Sequence, residues 1–204
     1  MGPLLWLASR SPRRRELLWQ IGVPHECLAV ELDETPRAAE PPADYVLRLA
    51  REKAETAQSR LAGRQALPVL AADTAVVVEG RILGKPAGRE QALEMLALLS
   101  GRSHQVYSGV ALAGHETATR LSVSRVEMRV ITRAEALAYW ASGEPAGKAG
   151  GYAIQGRGAI FIRELHGSYS GVMGLPLYET ANLLGAAGIR LPRPAQENQN
   201  QIDP

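Results

Sequence analysis

The chain has 204 residues, 46% of them hydrophobic, enough for one substantial domain or two lobes about a cleft. Its 23 basic and 21 acidic residues leave a net charge of +2, which excludes a broad electrostatic surface for nucleic acid or anionic membrane, so any basic character is local. The single cysteine, Cys27, excludes an intramolecular disulfide and reads as a small apolar core residue in a reducing compartment.

The stretch Leu4 to Leu18, LLWLASRSPRRRELL, reads as strand, turn and helix start. Its apolar run is too short for a membrane span, and the arginines follow the run where a signal peptide would place them before it, so a cytoplasmic protein is expected. Ser11 followed by Pro12 supplies a hydroxyl N-cap and a proline at the first helical position, and the helix continues to about Ile21. Arg13, Arg14 and Arg15 occupy the first turn, where the helix dipole is already positive, and three cations there cost stability unless an anion shares the site. Free backbone N–H groups, the Ser9 and Ser11 hydroxyls and planar guanidinium forks together suit a polyphosphate. The plainer alternative is a solvated basic helix end. Arg14 lies three, four and seven residues before Leu17, Leu18 and Ile21, on the apolar stripe, which favours the phosphate reading.

A strand is expected around Glu26 to Val30, followed by the carboxylates Asp33 and Glu34 in a proline-rich loop, Thr35 to Pro42. Ala43 to Ala62 is helical, with Arg48/Glu52 and Arg51/Glu55 as exposed pairs and Lys53 inside the apolar stripe. Such a lysine either snorkels to water or serves a site. Pro68 to Val78 is a core strand interrupted by Asp73. A carboxylate there meets a cation, lines a cleft, or is a structural aspartate at a bulge. Arg81 to Leu83 returns as a short strand that ends at Lys85, and a scaffold helix spans about Arg89 to Leu99.

His104 to Ala113 and Thr119 to Val130 form a hairpin through Gly114, and the capping box from Thr132 to Glu135 starts a helix to about Ala141. Gly147 to Gly158, GKAGGYAIQGRG, holds five glycines in twelve residues and suits close approach of backbone to a ligand, with a mobile linker as the alternative. Ala159 to Leu165 follows as a strand, Ser168 to Gly174 as a loop, and Pro176 opens a helix to about Ala187. One domain over residues 1–191 and a disordered tail over 192–204 are expected.

No P-loop, HExxH, CxxC or strand-following GxGxxG is present, and GSYSG has Tyr169 where a nucleophile elbow needs serine. What remains is Arg13, Arg14, Lys53 and Lys85 to neutralise phosphates, with Glu34 and Asp73 to hold a hard divalent cation, magnesium or manganese, through oxygen.

On LASRSPRRREL, the Asp33-Glu34 pair, LAREKA, AADT, LGKP, LSGRSHQV, AGGYAIQG and GLPLYET, the sequence resembles the Maf family of nucleoside triphosphate pyrophosphatases from Leu4 to about Leu191. The resemblance implies an elongated, two-lobed mixed α/β fold similar to the inosine triphosphate pyrophosphatases, with a central mixed sheet and a nucleotide-binding cleft. It implies hydrolysis between the α and β phosphates, with Asp73 as the catalytic base, and a role in clearing the nucleotide pool. Arg13, Thr74 and Gln155 together resemble the dTTP/UTP subfamily rather than the 7-methyl-GTP type. Gln155 can accept from pyrimidine N3–H and donate to a ring carbonyl at once.

The rival reading is a non-catalytic nucleotide-binding regulator of septum formation. Retention of Asp73, Glu34, Lys53 and Lys85 favours turnover, since a sensor needs no positioned base. The expected partner is a small-molecule nucleoside triphosphate. Nucleic acid and membrane are not expected, and a homodimer is left open.

Overall fold

The computed structural model of the chain describes residues 2–61 and 67–191. The tail expected to be disordered and the end of the helix expected to reach Ala62 both lie outside the described residues. Strand β1 (Leu5–Leu7) leads to helix α1 (Pro12–Gln20), β2 (His25–Cys27), α2 (Pro42–Arg60), β3 (Val69–Val78), β4 (Arg81–Leu83) and α3 (Arg89–Leu99). Next come β5 (Ser103–Ala113), β6 (Thr117–Met128), α4 (Arg133–Ala141), β7 (Ile162–His166), α5 (Tyr169–Met173) and α6 (Leu177–Ala186). Among the described residues no helix is long and apolar enough to cross a membrane.

The sheet is mixed and runs β2-β1-β3-β5-β6-β7, with β4 also on β3. β1 lies parallel to β2 and β3, and every other pairing is antiparallel. Strand β3 organises the rest. One of its edges pairs with β5 from Val69 to Val77 without a break. The other edge pairs with β1 only at Val69 and Leu70, and with β4 only from Val76 to Val78. Between them this edge has no strand partner, and Asp73 and Thr74 lie in the gap.

A hydrophobic core gathers at each end of β3. One contains Leu5, Leu7, Leu17, Leu18, Leu70, Leu183 and Leu184, beneath α1 and α6. The other contains Val76, Val78, Leu96, Leu99, Met128, Tyr139 and Phe161, beneath α3 and α4. On the opposite face α2 lays Ala50, Ala54 and Ala57 against Val69, Ala71 and Ala111. Small residues allow this close approach, and it is tightest at Gly109, where a Cβ would stand 2.5 Å from the Val46 carbonyl oxygen.

Most expected elements are present, the capping box among them. The differences have local causes. Cys27 is exposed, because it ends β2, a three-residue strand at the edge of the sheet. The segment expected as a loop, Ser168 to Gly174, contains α5: the Ser168 hydroxyl accepts the Gly171 N–H, and Gly174 ends the helix at φ 117°. Residues Arg157–Phe161, expected in part as strand, form a 3-10 turn, so β7 starts at Ile162. Ser11 occupies the N-cap position of α1, but its hydroxyl makes no capping bond. The bulge offered for Asp73 is not there, since the β3–β5 register runs through Asp73↔Gly109 without a shift.

Replacing Gly109 by alanine drives a methyl into the α2 main chain and is expected to destabilise the protein by about 1–3 kcal/mol. Gly114→Ala, which adds its methyl to open space, is expected to be nearly neutral. Urea unfolding midpoints of the two variants check the contrast.

Candidate active site

The gap in the β3 edge opens into a cleft of about 990 Å³. Its wall brings together every residue singled out from the sequence: Ser9, Ser11, Arg13, Arg14, Glu34, Lys53, Asp73, Thr74, Lys85 and Gln155. Six cations line it (Arg10, Arg13, Arg14, Lys53, Lys85 and Lys148) against the carboxylates Glu31, Glu34 and Asp73. Such a surplus of positive charge favours a polyanion.

Asp73 is 7% exposed, a costly position for an unpaired carboxylate. Lys53, projecting from α2 and equally buried, resolves the conflict with an ion pair of 2.6 Å to Asp73 Oδ1. The same amine donates to Glu34 Oε1 at 2.6 Å, and Lys85 at the end of β4 donates to Glu34 Oε2 at 2.9 Å. Lys53 therefore does not snorkel to bulk water: it joins two carboxylates. Burial alone would raise the Glu34 carboxyl, but hydrogen bonds from Lys53 and Lys85 outweigh it and hold the pKa at about 2.

The loop carrying Glu34 is fastened from α2. Tyr45 Oη donates to the Glu34 carbonyl at 2.9 Å. Arg48 forks onto Glu40 at 2.5 and 2.7 Å and reaches the Thr35 carbonyl. The sequence shows Arg48 paired with Glu52, as it is, but not this longer-range role.

The two arginines of α1 are aimed by α5. Arg13 Nε donates to the Met173 carbonyl at 3.2 Å and Arg14 Nε to the Gly174 carbonyl at 2.7 Å, where a helix C-terminus welcomes a cation. Among the described residues the terminal nitrogens of Arg13 have no protein acceptor. Those of Arg14 have only long bonds, 3.4 Å to Thr74 Oγ1 and 3.5 Å to Ser9 Oγ. Burial lowers the pKa of both, in Arg14 against the opposing pull of Asp73. Arg15, in contrast, is exposed and solvates the helix. Beside them Ser9 Oγ accepts the Ser11 N–H, while the buried Ser11 Oγ has no partner among the described residues. Cations withdrawn from water, an idle hydroxyl and an uncapped helix end all point to an anion.

The glycine-rich segment forms the facing wall. Gly150, at φ 67°, donates its N–H to the Gly84 carbonyl and lies so close to Val76 that no side chain fits. Lys148, which was not singled out from the sequence, lines this wall, and among the described residues its amine has only the Ala146 carbonyl as acceptor, at 3.3 Å. Its pKa is lowered by burial and then by Arg13. The available signal was a lysine within a glycine run.

With this arrangement in view, the chain matches the family of Maf-like proteins over residues 4–187. It belongs to the Maf family. Among its Maf relatives, one from Alkalilimnicola ehrlichii, called a dTTP/UTP pyrophosphatase, is 55% identical over 185 residues, covering 89% of this chain and 92% of that protein. Another of the same name, from Methylococcus capsulatus, is 56% identical over 91% of each chain. Among solved structures, the Staphylococcus aureus Ham1 protein aligns with 90% of this Maf chain and 96% of its own at 17% identity, with a TM-score of 0.48.

The pairing of Glu34 makes stability depend on acid. Its folded pKa of about 2 lies below the ordinary 4.5, so the contribution is complete above 4.5 and is lost as pH falls from there toward 2. In metal-free buffer, the urea midpoint of the wild type is expected to exceed that of Glu34→Gln at pH 7, with the gap narrowing below pH 4.5. A gap independent of pH would contradict the assignment.

Proposed function

We propose that this Maf protein is a dTTP/UTP pyrophosphatase that cleaves the bond between the α and β phosphates to give the nucleoside monophosphate and pyrophosphate. The observation that carries the proposal is Asp73: a single buried carboxylate, held by Lys53, at the floor of a cleft otherwise dominated by cations. Relatives sharing more than half of their residues with this chain and called dTTP/UTP pyrophosphatases support the substrate class.

Arg13, Arg14, Lys148 and Ser11 present unused donors to the phosphates. Asp73 Oδ1 is occupied by Lys53, while its second oxygen has no protein partner among the described residues and is free to orient and deprotonate the attacking water. Lys53 serves twice, holding the Asp73 carboxylate in place and standing poised beside the charge that develops on the leaving pyrophosphate. Gln155 is exposed on the cleft wall, where its amide reads the uracil or thymine edge.

The donor chemistry suits magnesium or manganese. Glu34 and Asp73 offer carboxylate oxygens on neighbouring elements, and such ions take one or two carboxylates together with substrate phosphates. No cluster of three potential ligands occurs among the described residues. When bound, the ion would neutralise phosphate charge.

A panel of nucleoside triphosphates with both products quantified tests the reading. dTTP and UTP are expected to yield monophosphate and pyrophosphate, and release of orthophosphate instead would refute it. Asp73→Asn is expected to retain nucleotide binding while turnover falls about 100-fold or more. Activity within a few-fold of wild type would reject Asp73 as the base. Excess chelator is expected to abolish turnover, and undiminished rates after exhaustive metal removal would reject the metal.

A further inference from the structure

Gln155 makes no hydrogen bond to protein among the described residues, so its direction is set by the backbone on either side. That backbone is gripped by one pair of side chains. Before Gln155, the Ala153 N–H donates to Tyr139 Oη at 3.0 Å. After it, the Gly158 and Arg157 N–H groups donate to Glu144 Oε1 and Oε2 at 3.0 and 2.9 Å. Tyr139 closes the circuit by donating its hydroxyl to Glu144 Oε1 at 2.7 Å.

The clamp is rigid and closely fitted. Tyr139 is 4% exposed and packs edge-on against Phe161, with ring centroids 5.2 Å apart. A Cβ at Gly158 would stand 2.6 Å from Tyr139 Oη, and one at Gly156 would collide with the Glu144 carboxylate, so both glycines are there to let the loop close on the pair. Three donors converge on Glu144 and only a carboxylate, with acceptors alone, satisfies them all. A glutamine of the same shape must turn its NH2 toward one of these donors. Burial pushes the Glu144 carboxyl up, but bonds from Tyr139, Gly158 and Arg157 prevail and hold its pKa below the ordinary value.

We propose that Tyr139 and Glu144 are positioning residues for nucleobase selection, fixing the loop from Ala153 to Gly158 so that Gln155 meets the base edge. The inference rests on the reading of Gln155 as the base contact. Neither residue lines the cleft.

UTP and CTP carry the same ribose and triphosphate and differ only at the base edge, so their ratio of kcat/KM isolates base reading from phosphate handling. Glu144→Gln and Tyr139→Phe are each expected to lower the UTP:CTP ratio about tenfold, through a higher KM for UTP with kcat held within a few-fold. Tyr139→Phe keeps the packed ring and removes only the hydroxyl, so it gives the answer even where Glu144→Gln folds poorly. In a Gln155→Ala background, which itself collapses the ratio, adding Glu144→Gln is expected to change it no further. Equal losses for UTP and CTP would reduce the pair to general structural support and overturn the proposal. So would a further fall in the ratio in the double variant. A wild-type ratio in Gln155→Ala would instead remove the base-reading role of Gln155, a result distinct from failure of the clamp alone.

Discussion

Everything in this fold turns on the divided edge of β3. A ten-residue strand that pairs along one side and is abandoned mid-length on the other creates a gap flanked by two strand ends, and both ends must turn away from the sheet. From one end the chain passes through Ser9 and Ser11 into α1, and from the other through Gly84 to Lys85. The start of α1 and the lysine above Glu34 thus reach the same opening because β1 and β4 share an edge without meeting. Asp73 is tolerated in an apolar strand because it falls in that opening, within reach of Lys53.

The charges of the cleft are organised as a chain rather than as isolated pairs. Lys53 joins Asp73 to Glu34, and Glu34 passes on to Lys85. Removing Lys53 leaves the buried Asp73 with no cation paired to it among the described residues, and for such a buried pair the loss of a partner costs far more than the pair contributes. The arginines are managed differently. They are tethered through Nε to carbonyls at the end of α5, which costs them little charge and leaves their outer nitrogens for the ligand. One side of the cleft therefore holds Asp73, Glu34 and their lysines, while a five-residue helix from late in the chain directs the cations of a helix from its beginning.

Much of the fold could be read from the sequence, because its strongest signals are local. The apolar length of β3, the hairpin from β5 to β6, the capping box of α4 and the stop of α3 at Ser100 are set by neighbours in the chain. The differences had local causes too, ones that composition does not reveal. A glycine- and serine-rich segment closed into α5 because the Ser168 hydroxyl capped it, and Cys27 stayed exposed because it ends a three-residue strand at the sheet edge.

The sequence by itself determined the chemical inventory: a hydroxyl- and arginine-bearing helix start, one carboxylate inside a hydrophobic strand, a lysine on an apolar helix face, and a glycine-rich loop bearing Gln155. These are legible because each breaks a local rule of charge, burial or backbone freedom. Only the tertiary structure decided how the inventory is connected. Lys53 and Asp73 are twenty residues apart, Arg14 and Gly174 one hundred and sixty, and Glu144 meets Gly158 across fourteen. Hydrogen bonds at such separations leave no periodic trace in a chain, since their partners are set by how strands and helices pack, not by spacing.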